Sequence, residues 1–153
     1  MNRLCIHATC VSLNGTAVLI RGPSGSGKSS LALQLLESAG TGLTADVIKV
    51  ELVSDDQTEL LVRDSRLLAS PPHVIAGLLE VRGQDILRLP HLIDVPVVLV
   101  VDLKSASRIE RLPEVSELMT DILGVKVANV AIDPTHASAA ARLRVAWAAA
   151  EKA

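Results

Sequence analysis

Gly22-Pro23-Ser24-Gly25-Ser26-Gly27-Lys28-Ser29 fits the G-x-x-x-x-G-K-[ST] phosphate-loop pattern at every defined position. Its flanks fit as well. Ala17-Val18-Leu19-Ile20 before it reads as a buried strand. Leu31, Leu35, Leu36 and Ala39 after it recur at helical spacing, with Gly40 placed to end the helix. The glycines free the backbone to turn successive N–H groups toward one anion, and the following helix offers that anion its positive end. Lys28 is set to reach the β- and γ-phosphates and the Ser29 hydroxyl to hold Mg²⁺, with Ser30 closing the phosphate-cradling run. The expected ligand is a nucleoside triphosphate. No N-K-x-D guanine-reading motif occurs, which favours ATP over GTP.

The chain has 153 residues, the length of one domain with a real core, and is read as a single unit over 1–153. Hydrophobic residues make up 49% but aromatics only 1%, the single Trp147, so Leu, Val, Ile and Ala must fill that core. A net charge of −2 and the lack of any Lys/Arg run argue against a nucleic-acid partner. No apolar stretch reaches the length of a membrane span, and Met1-Asn2-Arg3 leads into strand-like sequence without a signal peptide. The expected compartment is the cytoplasm. Cys5 and Cys10, at an odd offset on one strand, point to opposite faces and read as free thiols.

Leu4 to Val11 alternates as a strand, and Asn14-Gly15 signals a two-residue hairpin. That turn pairs Leu13 with Thr16. Carried back along the register, it sets His7 opposite Gly22, beside the entrance of the phosphate loop. Val47 to Val53 and Glu59 to Val62 read as strands, the first ending in Ser54-Asp55-Asp56. Pro71-Pro72 opens a short helix to about Leu79, ahead of Glu80-Val81-Arg82-Gly83. Val95 to Val101 is an apolar strand closed by Asp102, Pro113 to Leu123 a helix, and Val125 to Ile132 a last strand. Asp133-Pro134-Thr135 offers a cap to an Ala-rich C-terminal helix. The fold class is α/β, a phosphate-loop domain whose hairpin makes the sheet mixed.

The carboxylates decide where a γ-phosphate goes. Asp102, closing an aliphatic run, has the commoner pattern for a metal-binding acid. In the Asp55-Asp56 pair, adjacent side chains point different ways, so one can hold Mg²⁺ while the other accepts a hydroxyl proton. Asp-Asp is also common in plain surface turns. Glu80 and Arg82, two residues apart, can share one side of an extended segment. Metal binding with charge stabilisation is one use of such a pair, and a surface ion pair, which spacing alone favours, is the other. His73, His91 and His136 show no ligand spacing with one another.

Ile6-His7 ahead of the phosphate loop, Leu52-Val53-Ser54-Asp55-Asp56 and Leu79-Glu80-Val81-Arg82-Gly83 together resemble the catalytic domain of HPr kinase/phosphorylase. Ser70-Pro71-Pro72-His73 looks like that family's lead-in to the last of these motifs, and the resemblance spans roughly His7 to Val127. It implies a phosphate-loop fold similar to that of phosphoenolpyruvate carboxykinase. It implies ATP- and Mg²⁺-dependent phosphorylation of a serine on HPr, the phosphocarrier protein of the bacterial phosphotransferase system, and a hexameric assembly. Carried over by matching position, His7 is a catalytic histidine, Lys28 the phosphate-binding lysine and Ser29 the metal-binding serine. Asp55-Asp56 is the acidic pair, with Asp56 favoured as proton acceptor, and Glu80 is a magnesium ligand. Arg111, within Ile109-Glu110-Arg111-Leu112, takes the place of a catalytic arginine, and Asp102 becomes structural.

Three departures from the family pattern qualify this. The chain resembles the short, single-domain alphaproteobacterial form. Its segment between Gly83 and Val95 is short and lacks a Gly-Ile-Ile run. The family's arginine-containing loop tied to dephosphorylation is replaced by Ala131-Ile132-Asp133-Pro134-Thr135-His136, and a phosphate site wants a guanidinium. Kinase activity is therefore expected and phosphorylase activity is not. Two other classes compete: a small-molecule kinase, although Arg63, Arg66, Arg82 and Arg88 are too scattered for an arginine-rich lid, and a nucleotide-sensing switch that transfers nothing.

Overall fold

The apolar run Val95–Leu103 is the axis of the molecule. In the computed structural model, which describes residues 3–153, it forms the longest strand. The lead-in Met1-Asn2 lies outside the described residues. The elements are β1 (Arg3–Ile6), β2 (Ala8–Leu13), β3 (Thr16–Arg21), α1 (Lys28–Glu37), β4 (Val50–Ser54), β5 (Thr58–Arg63), β6 (Arg66–Ser70), β7 (Leu78–Val81), β8 (Asp85–Arg88), β9 (Val95–Leu103), β10 (Met119–Ile122), β11 (Val125–Ile132) and α2 (Ala139–Lys152).

β9 lies parallel to β3 on one side and to β11 on the other. From β3 the sheet continues antiparallel through β2 to β4. The first residues of β9 pair instead with β6, at Leu68↔Pro96 and Ala69↔Val95, and from there the sheet runs to β5 and β1. One mixed sheet thus curls back over its own face. Val18, Ile20, Leu99 and Val101 pack on the side of α1 and α2, while Ala17, Leu19, Val97 and Val100 pack against Leu60, Leu67 and Ala69 of the curled part. Burial on both faces explains why β3 and β9 read as unbroken apolar runs.

The hairpin register runs as expected, from Leu13↔Thr16 to Ala8↔Arg21. Asn14 (φ 49°) and Gly15 (φ 89°) take the left-handed pair that a two-residue hairpin turn needs. The expected strand from Leu4 to Val11 is broken at His7, because its two halves serve different parts of the curled sheet: β1 pairs with β5, and β2 with β3 and β4. Cys10 is buried, which pushes its thiol pKa up, and Cys5 is exposed.

Two expected helices are absent. The Pro71–Leu79 stretch gives only a 3-10 turn at His73–Ile75 and then β7. Gly77 stops any helix there at φ 77°, with its Cα face against the Leu89 carbonyl. Pro113–Leu123 likewise gives a 3-10 turn at Val115–Leu118 and then β10, joined to β11 by left-handed Leu123 (φ 53°) and Gly124 (φ 84°). β6 and β8 carry no strong strand signal in the sequence. Asp133 caps no helix: it accepts from the N–H groups of Ala106 and Thr135, and α2 begins only after Ser138.

α1 ends at Glu37, ahead of the expected stop at Gly40, and its end is held by α2. Arg144, 5% exposed, donates to the carbonyls of Leu35 (3.3 Å) and Ser38 (2.6 Å). A cation there meets the negative end of the helix. Burial lowers the Arg144 pKa from its ordinary value. Gly40 is the floor of this contact, since a Cβ there would stand 2.6 Å from the guanidinium. Arg144→Leu strands those carbonyls, and the expected cost is about 1–3 kcal/mol, read as a lower urea midpoint at an unchanged slope.

Candidate active site

β3 delivers the chain into the phosphate loop, and α1 takes it away. Gly25 (φ 77°) and Gly27 (φ 104°) hold left-handed backbone that a Cβ would strain. A Cβ on Gly27 would also press on Pro134 at 3.2 Å. Lys28 Nζ donates to the carbonyls of Gly22 (2.7 Å) and Pro23 (3.0 Å), bracing the loop from within. Ser26 Oγ is buried inside the loop without a hydrogen-bond partner among the described residues.

Directly after β4, Asp55 is 7% exposed and gathers three elements. Its Oδ1 accepts from Ser29 Oγ of α1 (2.6 Å) and Thr9 Oγ1 of β2 (2.9 Å), and its Oδ2 from the Glu80 N–H of β7 (3.3 Å). Thr9 also accepts the Asp56 N–H at 3.2 Å. Asp56 sits in the left-handed region (φ 69°), which turns its carboxylate outward to 3.3 Å from His7 Nε2. The two adjacent acids therefore differ sharply, one buried with three hydrogen-bond donors around it, the other 63% exposed beside an imidazole. Thr9 is a site residue that the sequence reading missed. Its only signal is a polar residue at a buried strand position two places after His7.

A cavity of about 490 Å³ lies between these parts. It is lined by Ser24, Gly25, Gly27, Lys28, Ser29 and Ser30 of the loop and α1, by Leu33, by Asp55 and Asp56, and by Glu80, Val81 and Arg82 at the β7 end. The Glu80–Arg82 pair thus faces a cavity rather than open surface. Gly22, Pro23, Ser26 and His7 are not part of that lining, and His7 meets it through Asp56. Arg111 is exposed and does not line the cavity, because its segment leaves β9 and is tied elsewhere, Ala106 N–H donating to Asp133 Oδ2 at 2.9 Å. Among the described residues no three His, Cys, Asp or Glu side chains form a closed metal cage. The hard oxygens of Ser29, Asp55 and Glu80 on one cavity do suit Mg²⁺, which keeps several of its waters.

Asp102 is engaged elsewhere. Arg21 grips both its oxygens, at 2.8 and 3.1 Å, and Asn129 Nδ2 donates at 2.9 Å. Burial raises the Asp102 carboxyl, but these hydrogen bonds and the Arg21 charge outweigh it and hold the pKa below the usual carboxylate value.

Residues 1–151 match the family described as the HPr Serine kinase C-terminal domain. The chain belongs to that family. It is 31% identical over 138 residues to HPr kinase/phosphorylase of Clostridium tetani, covering 83% of this chain and 41% of that one. Against HPr kinase/phosphorylase of Caldicellulosiruptor bescii the figures are 33% over 141 residues, 85% of this chain and 42% of that one. The chain thus spans about two fifths of the length of these relatives. The solved Hpr(Ser) kinase/phosphatase of Coxiella burnetii has the same fold, with a TM-score of 0.76 over 97% of each chain at 21% identity. The mixed α/β fold with a curled sheet is therefore that of the HPr kinase C-terminal domain, as the motif resemblance implied.

Two outcomes follow from these contacts. Thr9→Val keeps shape but removes one of the donors to buried Asp55 and the acceptor of the Asp56 N–H, and the expected cost is about 1–3 kcal/mol, measured as a lower urea midpoint. A carboxyl whose folded pKa is depressed stabilises fully above its unfolded value, about 3.9, and loses that contribution as pH falls through the lower folded value. Asp102→Asn should therefore unfold more easily than the parent at neutral pH, with the gap closing in melts below about pH 4.

Proposed function

We propose that this chain is a catalytic domain that transfers the γ-phosphoryl group of ATP to a serine hydroxyl of an HPr-type phosphocarrier protein. Membership of the family supports the reaction class. The observation that carries the proposal is the exposed Asp56–His7 pair at 3.3 Å beside a buried, phosphate-loop-bound Asp55. Lys28 exchanges the Gly22 and Pro23 carbonyls for the β- and γ-phosphates, and the loop N–H groups cradle the same anion. Ser29, Asp55 and Glu80 would hold Mg²⁺, which when bound supplies charge neutralisation at the β/γ oxygens. Asp56 takes the proton of the acceptor serine as its oxygen attacks the γ-phosphorus and the bond to the leaving ADP oxygen breaks. His7 orients the Asp56 carboxylate. Arg82, in the cavity lining beside Glu80 and Val81, adds positive charge where the transferring group becomes most anionic. Arg111 is assigned no step.

The direction proposed is the kinase one. The segment beside the loop, with Pro134 next to the space a Gly27 Cβ would fill, offers no guanidinium for inorganic phosphate. It carries Asp133 instead, whose carboxyl is held below the usual range by hydrogen bonds from Thr135 and Ala106. ATP and a phosphocarrier substrate assign the protein to the cytoplasm, in keeping with the lack, among the described residues, of any helix long and apolar enough to cross a membrane. The proposal extends to a homo-hexamer, which light scattering would register.

Incubation with labelled ATP, Mg²⁺ and HPr tests the reading. The expected result is serine-linked label, lowered about 10²–10⁴-fold in Asp56→Asn. Equal labelling by Asp56→Asn would remove the proposed base. Nucleotide binding with no label in any carrier would favour a sensing switch.

A further inference from the structure

We infer that Arg21 is a positioning residue for the phosphate loop, acting through a clasp with Asp102 and Asn129. The inference rests on the reading of that loop as the seat of a nucleotide's phosphates. Arg21 is the last residue of β3 and the one immediately before Gly22. Its backbone is paired on both sides, with Ala8 and with Asp102. Its side chain then crosses to β9, where Nε and Nη2 bind the two oxygens of Asp102 at 2.8 and 3.1 Å. Asn129 of β11 donates to the same carboxylate at 2.9 Å and to the Val100 carbonyl at 3.0 Å. The carboxyl ends of β3 and β9 are thereby tied to each other and to the middle of parallel β11, just where β3 opens into the loop.

The next carbonyl along the chain, that of Gly22, receives Lys28 Nζ at 2.7 Å. One peptide unit therefore separates the clasp from the resting place of the lysine that reaches the phosphates. Gly22 also lies low on the sheet, since a Cβ there would stand 3.3 Å from Leu103 Cβ, the residue after Asp102. Glycine-rich backbone has little stiffness of its own, so the height and tilt of the loop are set where it leaves the sheet. The bidentate fork fixes both the spacing and the rotation of β3 against β9, which a single-point contact does not. The pair is 34% and 25% exposed, sheltered enough to hold one geometry. Arg21 lies outside the cavity lining, so its influence on nucleotide passes through the backbone of the loop.

The test is Mg²⁺·ADP titration of the full chain by calorimetry, with melting temperature recorded for each variant. Arg21→Met should weaken binding about 10-fold or more. Arg21→Lys should recover little of that loss, because an ammonium cannot reproduce the fork. Arg21→Met combined with Asp102→Asn should bind no more weakly than Arg21→Met alone, since both break one clasp. Leu67→Ala, in the core of the curled part, should lower the melting temperature and leave binding unchanged. The inference is overturned if Arg21→Lys or Arg21→Met melts earlier yet binds as the parent does, or if the two losses add in full. A parent that binds no nucleotide would instead overturn the loop reading itself, and the inference with it.

Discussion

A carboxylate nearly out of water must have its lone pairs filled, and Asp55 meets this by drawing on three elements that are distant in sequence. Ser29 comes from the start of α1, Thr9 from β2, and the Glu80 N–H from the β7 hairpin. Each partner is also a wall of the cavity or the neighbour of one. The constraint works both ways. The buried acid cannot be satisfied unless loop, sheet and hairpin close on one another, and once they close, the cavity has its shape. A polar group this deep is costly when any partner leaves, which makes the assembly of the site and the burial of Asp55 a single event.

The left-handed turn at Asp56 follows from the same arrangement. Its predecessor faces inward, its own N–H is taken by Thr9, and the chain must reverse within two residues to start β5 at Thr58. The carboxylate is left projecting toward His7, itself at the bend between β1 and β2. Two neighbouring residues of the same type thus acquire opposite surroundings from backbone geometry alone. One is held inside by three partners, and the other stands in solvent beside an imidazole.

Local patterns were the legible part of the sequence. The phosphate loop, the Asn14-Gly15 hairpin and the apolar strands β3 and β9 each carry their signal within a few residues, and the hairpin register held from Leu13↔Thr16 to Ala8↔Arg21. What escaped was set at a distance. The break at His7 exists because β1 and β2 join different parts of a curled sheet, and no residue at that point announces it. β6 follows an Asp64-Ser65 turn with both residues left-handed, and β10 precedes Leu123-Gly124; neither turn uses the usual Asn-Gly or Asp-Gly pair. Pro71-Pro72 and Pro113 read as helix starts, yet only 3-10 turns follow. Thr9 and Asn129 gain their roles from partners more than twenty positions away. Asp102 shows the converse error of pattern: its place at a strand end suggests a metal ligand, while the Arg21 guanidinium already occupies it.

The aliphatic core has a spectroscopic corollary. Phe and Tyr are absent, and Trp147 is the sole aromatic side chain. It is packed between α2 and the sheet, with its indole N–H donated to Thr16 Oγ1 at 2.8 Å. Near-ultraviolet absorbance and intrinsic emission from the polypeptide therefore report a single address, the seam where the last helix meets the hairpin that carries His7 at its far end. A shift in that emission maps to one contact, with no second fluorophore to disentangle.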